Sequence, residues 1–187
     1  HFLEHMVFKG SRYLREGEFD QKIEALGGSS NAATGFDEVH FYVLVPQKAA
    51  PSALELLLDL VLSPSLSSEA YALEREVVLE EIAQYQDQPD EKVVQHLLKM
   101  CWGDHPYGRP ILGFEKSLEE SDPEEMRAFH KRLYTGESSC LSIAGAIPEG
   151  IKNIIDNSLL SRLTKDQKAK NFSQKMQSPI FKKGREE

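Results

Sequence analysis

Apolar residues recur every three or four positions over most of this chain and alternate strictly in one place. Phe2, Met6 and Phe8 predict a short helix from His1 to about Lys9, stopped by Gly10-Ser11. Phe19, Ile23 and Leu26 predict a second, from about Gly17 to Leu26. Gly27-Gly28 ends it, because glycine readily takes the left-handed conformation of a helix C-cap. Ser29 to Thr34 is short, polar and small, and reads as either an extended edge strand or a loop. From Val39 to Val45 the alternation is clean, with Val39, Phe41, Val43 and Val45 on one face. His40, Tyr42 and Leu44 occupy the other, so a strand with both faces partly covered is expected, with His40 as a structural residue and not a ligand.

Pro51 opens a third helix whose stripe is Leu54, Leu57, Leu58 and Val61, ending near Ser63-Pro64. Ser67 or Ser68 caps the longest helix, which runs to about Gln86. A helix from Asp90 to about Met100 turns Val93, Val94, Leu97 and Cys101 inward and closes at Gly103. Asp104 to Pro110 is a loop in which His105 and Arg109 either face a cleft or belong to a rigid turn. Ser121-Asp122-Pro123 starts a helix with Met126, Phe129 and Leu133 on one face. Ser139 to Ala144 reads as a buried strand, and Pro148 to Leu163 as a last helix. This order of elements is that of an α+β layered domain over 1–163, followed by a polar linker over 164–187. The chain opens on His inside an apolar helix, so it is expected to be a piece of a longer protein. Further strands before His1 are expected, since two or three make a thin sheet.

Composition narrows the function classes. In 187 residues, hydrophobic content of 40% and charged content of 28% are those of a globular protein. A net charge of -8 argues against nucleic acid, whose phosphates need a basic surface. The dense basic stretch, Lys165 to Arg185, is interleaved with Gln, Ser and Asn and reads as a solvated linker. Cys101 and Cys140 are too few and too separated for a disulfide framework or a thiolate metal site. No apolar run reaches the length of a membrane span, and the sequence carries no readable compartment address.

The chemistry starts at His1-Phe2-Leu3-Glu4-His5. On a helix, His1 and His5 lie one turn apart on one face and can chelate one metal ion, with Glu4 beside them as a proton acceptor. This is H-x-x-E-H, the reverse of the H-E-x-x-H zinc motif. A chance match in a chain this long is roughly a few per cent. A catalytic zinc usually takes three protein ligands and one water, so another is needed. The helix after Ser67 offers it. At 100° per residue its apolar face is Ala70, Tyr71, Val77, Val78, Ile82 and Tyr85. Glu74 and Glu81, about 20° apart on that wheel, fall at its centre, while Glu76 and Glu80 fall away from it. A carboxylate on a buried face needs a compensating charge, from a metal ion or an arginine such as Arg12, Arg75, Arg109 or Arg127. His1, His5 and Glu81 would then form a His2Glu zinc centre with Glu4 as general base. Glu80 is the fallback ligand, and Glu74 is cast as a support that orients a histidine ring or shares the site's charge.

Four stretches in order, HFLEHMVFKGS, GGSSNAATGFDEVHFYVLVP, EREVVLEEI and DHPYGRPILG, resemble the pitrilysin/insulinase family of zinc peptidases. The resemblance is closest to the branch of the mitochondrial processing peptidase and its bacterial relatives. It covers residues 1–113 and, more loosely, extends to about Leu163. It implies His1, His5 and Glu81 as zinc ligands, Glu4 as base and Glu74 in support. It also implies that Ser30-Asn31-Ala32 belongs to an edge strand that a peptide substrate extends. The implied fold is an α+β two-layer sandwich with a mainly antiparallel sheet and helices on one face. Such a domain pairs with a related, non-catalytic half, in the same chain or in a second subunit. The expected function is a zinc-dependent endopeptidase acting on extended or unfolded peptides. A non-catalytic subunit or scaffold is the alternative, weakened by the intact motif; a bare metal-binding domain would have no need of the NAATG strand.

Overall fold

The computed structural model describes residues 1–158. Eight α-helices, two short 3-10 helices (Gln47–Ala49 and Pro106–Gly108) and one two-stranded antiparallel hairpin make up the regular structure of these residues, an α+β fold. The first helix, α1 (Phe2–Val7), is short because Gly10, at φ 109°, turns the chain away soon after it. Its apolar side chains Phe2, Leu3, Met6 and Val7 are all buried, which leaves His1, Glu4 and His5 on the remaining side. After α2 (Glu18–Ala25), Gly27 takes φ 77° and ends the helix as expected. Gly28 is required for a different reason: a Cβ there would sit 2.4 Å from Val45 Cγ1 and 2.5 Å from the Leu44 carbonyl oxygen.

Strands β1 (Ser29–Thr34) and β2 (Val39–Leu44) pair with Ser29 opposite Leu44 and Thr34 opposite Val39. The ambiguous Ser29–Thr34 segment is therefore a strand. Phe41, Val43 and Val45 pack on the core, and α2, α3 (Ala50–Leu62) and α1 contact the hairpin. The opposite face differs from expectation: His40, Tyr42 and Leu44 are exposed, because among the described residues nothing covers them.

The long helix α4 (Ser68–Gln86) is capped by Ser67, whose Oγ accepts from the Ala70 amide at 3.1 Å. Tyr71, Glu74, Val78 and Ile82 form its buried stripe, and α1 packs against it. Val77, expected on that stripe, is exposed instead, one side-chain step toward solvent. Helix α5 (Pro89–Trp102) buries none of its residues, and Val93, Val94, Leu97 and Cys101 are exposed where an inward face was expected. The apolar stripe is real, but the described neighbours of α5, helix α4 and the turn at Pro106–Gly108, leave it largely open. The short helix α6 (Glu115–Glu120) was not foreseen, since it has one buried apolar residue, Leu118.

Helix α7 (Pro123–Leu133) follows the Asp122 cap, with Asp122 Oδ1 accepting from the Glu125 amide at 2.8 Å. The expected strand at Ser139–Ala144 does not form; the segment is irregular and largely exposed. Its composition suits a strand, but no described strand lies beside it to take up its backbone hydrogen bonds. Helix α8 (Ile151–Asn157) lies within the expected last helix. The end of that helix, at residues 159–163, and the 164–187 linker lie outside the described residues. Among the described residues no helix is long and apolar enough to cross a membrane.

Candidate metal centre

Packing of α1 on α4 brings three donor atoms together. His5 Nε2 lies 3.2 Å from His1 Nε2, and Glu81 Oε2 lies 3.6 Å from His1 Nε2 and 3.5 Å from His5 Nε2. Among the described residues this is the one group of three such side chains whose donor atoms converge. Three lone-pair atoms facing one another repel unless a proton or a cation lies among them. Tetrahedral ligands at zinc bond lengths sit about 3.3 Å apart, close to the spacing of all three pairs. Glu81 Oε2 is moreover buried without a hydrogen-bond partner, as is His1 Nδ1. Orphaned buried polar atoms are costly, and a bound cation is one way to satisfy the carboxylate. The residues present thus fit a divalent metal of zinc type. Glu80, the fallback, is exposed on the flank of α4 and does not join the group.

Glu74 approaches from the other side of the same imidazole. His5 Nδ1 donates to Glu74 Oε1 at 2.9 Å, which leaves His5 Nε2 as the lone-pair nitrogen facing His1 and Glu81. Glu74 Oε2 meets Lys9 Nζ at 2.7 Å, and Lys9 also reaches Glu16 Oε1 at 3.1 Å. The cation compensating Glu74 is therefore Lys9, none of the arginines considered from sequence. Burial works to raise the Glu74 carboxyl, but hydrogen bonds from Lys9 and His5 outweigh it and hold it below the ordinary value. Burial likewise opposes the charge on Lys9, and the bonds to Glu74 and Glu16 still raise its amine above the ordinary value.

Glu4 is on the same turn as the histidines and receives a hydrogen bond from Thr34 Oγ1, at the end of β1. It opens on a cleft of about 690 Å³ whose wall includes His1, Thr34, Phe41, Leu133 and Tyr134. Burial first, and then the nearby Glu4 charge, push the Tyr134 phenol up to about 12, so it is protonated at neutral pH. The peptide-docking candidates lie on β1. Ser30 Oγ donates to Asp20 Oδ1 of α2 at 2.8 Å, so its side chain is engaged within the fold. The Ala32 amide is taken by the Asn31 side-chain oxygen at 2.9 Å, and Asn31 itself is exposed.

His40 is exposed beside Tyr42, with the rings near parallel and 6.0 Å apart. His105 serves a turn: its Nδ1 accepts from the Tyr107 amide at 3.2 Å. Neither is in the donor group. Lys9, Glu16, Thr34 and Tyr134 were not singled out from sequence. Lys9 alone had a local signal, since it follows His5 at one-turn spacing.

The sequence profile described as insulinase, peptidase family M16, matches residues 1–115. The chain belongs to that family. An uncharacterized zinc protease of Mycobacterium tuberculosis is 32% identical over 169 residues, covering 90% of this chain and 39% of that protein. A probable mitochondrial-processing peptidase subunit beta of Schizosaccharomyces pombe is 32% identical over 147 residues, covering 79% of this chain and 32% of that protein. In three dimensions the crystal structure of a protease from Helicobacter pylori matches with a TM-score of 0.84 at 25% identity, over 96% of this chain and 42% of that one. This M16 chain therefore spans less than half the length of the curated relatives it matches.

Proposed function

We propose that this chain carries the zinc centre and the general base of an endopeptidase that cleaves extended or unfolded peptides. The observation that carries the reading is the convergence of His1 Nε2, His5 Nε2 and Glu81 Oε2, with Glu4 on the same turn as both histidines. Zinc in such a site supplies a Lewis acid that polarises a peptide carbonyl and acidifies a water. Glu4 takes the proton of the attacking water and delivers it to the leaving amine. Thr34 occupies one oxygen of the Glu4 carboxylate and leaves the other for the proton. Glu74 keeps the Nδ1 proton of His5 in place, which presents Nε2 to the metal.

The peptide docks along β1 by adding a strand to its edge, at Ser30, Asn31 and Ala32. Because the Ser30 hydroxyl is already engaged with Asp20, the grip there is through backbone groups. Asn31 must release the Ala32 amide to let a peptide pair with it. A related, non-catalytic half, in the same polypeptide or in a second subunit, supplies the rest of the substrate enclosure. The test is metal-dependent cleavage by the complete gene product. Stoichiometric zinc, loss of cleavage of an unstructured peptide on chelation, and recovery on zinc addition are expected. Full cleavage by a metal-free preparation refutes the reading.

A further inference from the structure

We infer that Lys9 is a positioning residue for the metal centre: by occupying Glu74 Oε2 it leaves Oε1 alone to hold the His5 ring. The inference rests on the metal-centre reading above. A carboxylate offers two equivalent oxygens, and free rotation would let either one, or neither, meet His5 Nδ1. Lys9 removes that freedom, with Nζ at 2.7 Å from Oε2 while His5 Nδ1 is 2.9 Å from Oε1. Glu74 is only 7% exposed, so solvent offers little that could replace the ammonium.

Lys9 is itself fixed at both ends. Its amide donates to the Met6 carbonyl at 3.2 Å in the turn that closes α1. Its ammonium is held on the far side by Glu16 Oε1, 3.1 Å away, from the loop before α2. The result is a relay of charge-assisted contacts, Glu16 to Lys9 to Glu74 to His5, that begins near the surface and ends at a metal donor. Its consequence is a defined tautomer: with the proton kept on Nδ1 by Glu74, the Nε2 lone pair faces His1 and Glu81. A lysine that merely tied α1 to α4 would affect folding without affecting the metal.

Zinc affinity is the readout that separates the two, measured on the complete gene product by competition with a chelating dye, without substrate. Lys9→Met is expected to weaken zinc binding on the order of tenfold, as loss of an outer-shell partner typically does. Lys9→Arg, which keeps the charged donor, should restore most of that loss. Cobalt substituted into the site should show an altered visible spectrum in Lys9→Met and a near wild-type one in Lys9→Arg. The melting temperature of each metal-free protein separates lost folding from lost affinity. Where Lys9→Met does not fold, Lys9→Gln takes its place, with weaker zinc again expected. Wild-type zinc affinity and cobalt spectrum in a folded Lys9→Met or Lys9→Gln overturn the inference alone. Zinc affinity that His1→Ala leaves unchanged overturns the metal-centre reading and the inference together.

Discussion

Glu74 and Glu81 leave one helix seven residues apart and reach opposite nitrogens of a single imidazole. Glu74 Oε1 is 2.9 Å from His5 Nδ1, and Glu81 Oε2 is 3.5 Å from His5 Nε2. Seven residues are nearly two full helical turns, so both carboxylates face α1. The division of labour follows from which nitrogen each one meets. The hydrogen-bonded carboxylate holds the ring, and the other joins the donor group. Glu81→Gln should therefore lower the zinc content of the purified complete protein, while Glu80→Gln, on the exposed flank, should not. Metal analysis after dialysis decides it, and the reverse pattern would mean that the ligand assignment is wrong by one residue.

Glu4 is not in the donor group, and its carboxylate opens on the cleft. Glu4→Gln keeps the shape and removes the proton acceptor. It should retain full zinc and lose roughly 100-fold to 10,000-fold in kcat, the range set by general acid–base catalysis. Unchanged cleavage by Glu4→Gln would remove Glu4 from the reaction.

Much of this site is legible in the chain, because its parts obey local rules. His1, Glu4 and His5 are set by helical spacing alone. Ser67 announces α4, and Glu74 stands out as a carboxylate among apolar neighbours. What escapes is what depends on distant elements meeting. Thr34 reaches Glu4 from the end of a strand, and Lys9 reaches Glu74 across the α1–α4 packing, neither of which has a sequence period. The same limit explains the errors in the fold. Val93, Val94 and Leu97 follow a helical stripe, and Ser139–Ala144 has strand composition, but a pattern states only that a face is apolar. It does not supply the neighbour that buries it.

Thr34 connects β1, the proposed docking strand, to Glu4, the proposed base. Its hydroxyl donates to Glu4 Oε2, so the last residue of β1 sets the orientation of the carboxylate. A hydrogen bond to a charged group contributes roughly 1.5–3 kcal/mol. Thr34→Val, close in shape and β-branched, should lower kcat on the order of tenfold with zinc content unchanged. Thr34→Ser should recover most of it. Steady-state kinetics on both variants checks this; a loss confined to KM would assign Thr34 to peptide docking alone.

Folding stability should carry a pH dependence from His130, which is not in the donor group. This ring donates through Nε2 to the Val61 carbonyl at 2.9 Å and stacks on Tyr134, with centroids 4.5 Å apart. Burial lowers its pKa below the ordinary value, and the bond to Val61 only partly opposes that. At pH above the unfolded value of about 6.5, both states hold a neutral ring and the contribution is constant. Below it, the unfolded chain binds the proton first, so folding loses stability progressively until the pH passes the lower folded pKa. His130→Gln keeps a neutral N–H donor and removes the titration. Urea midpoints of the complete protein, measured with chelator present so that metal uptake plays no part, should fall less steeply with acid in His130→Gln than in wild type. Parallel curves would show that His130 does not titrate between the two states.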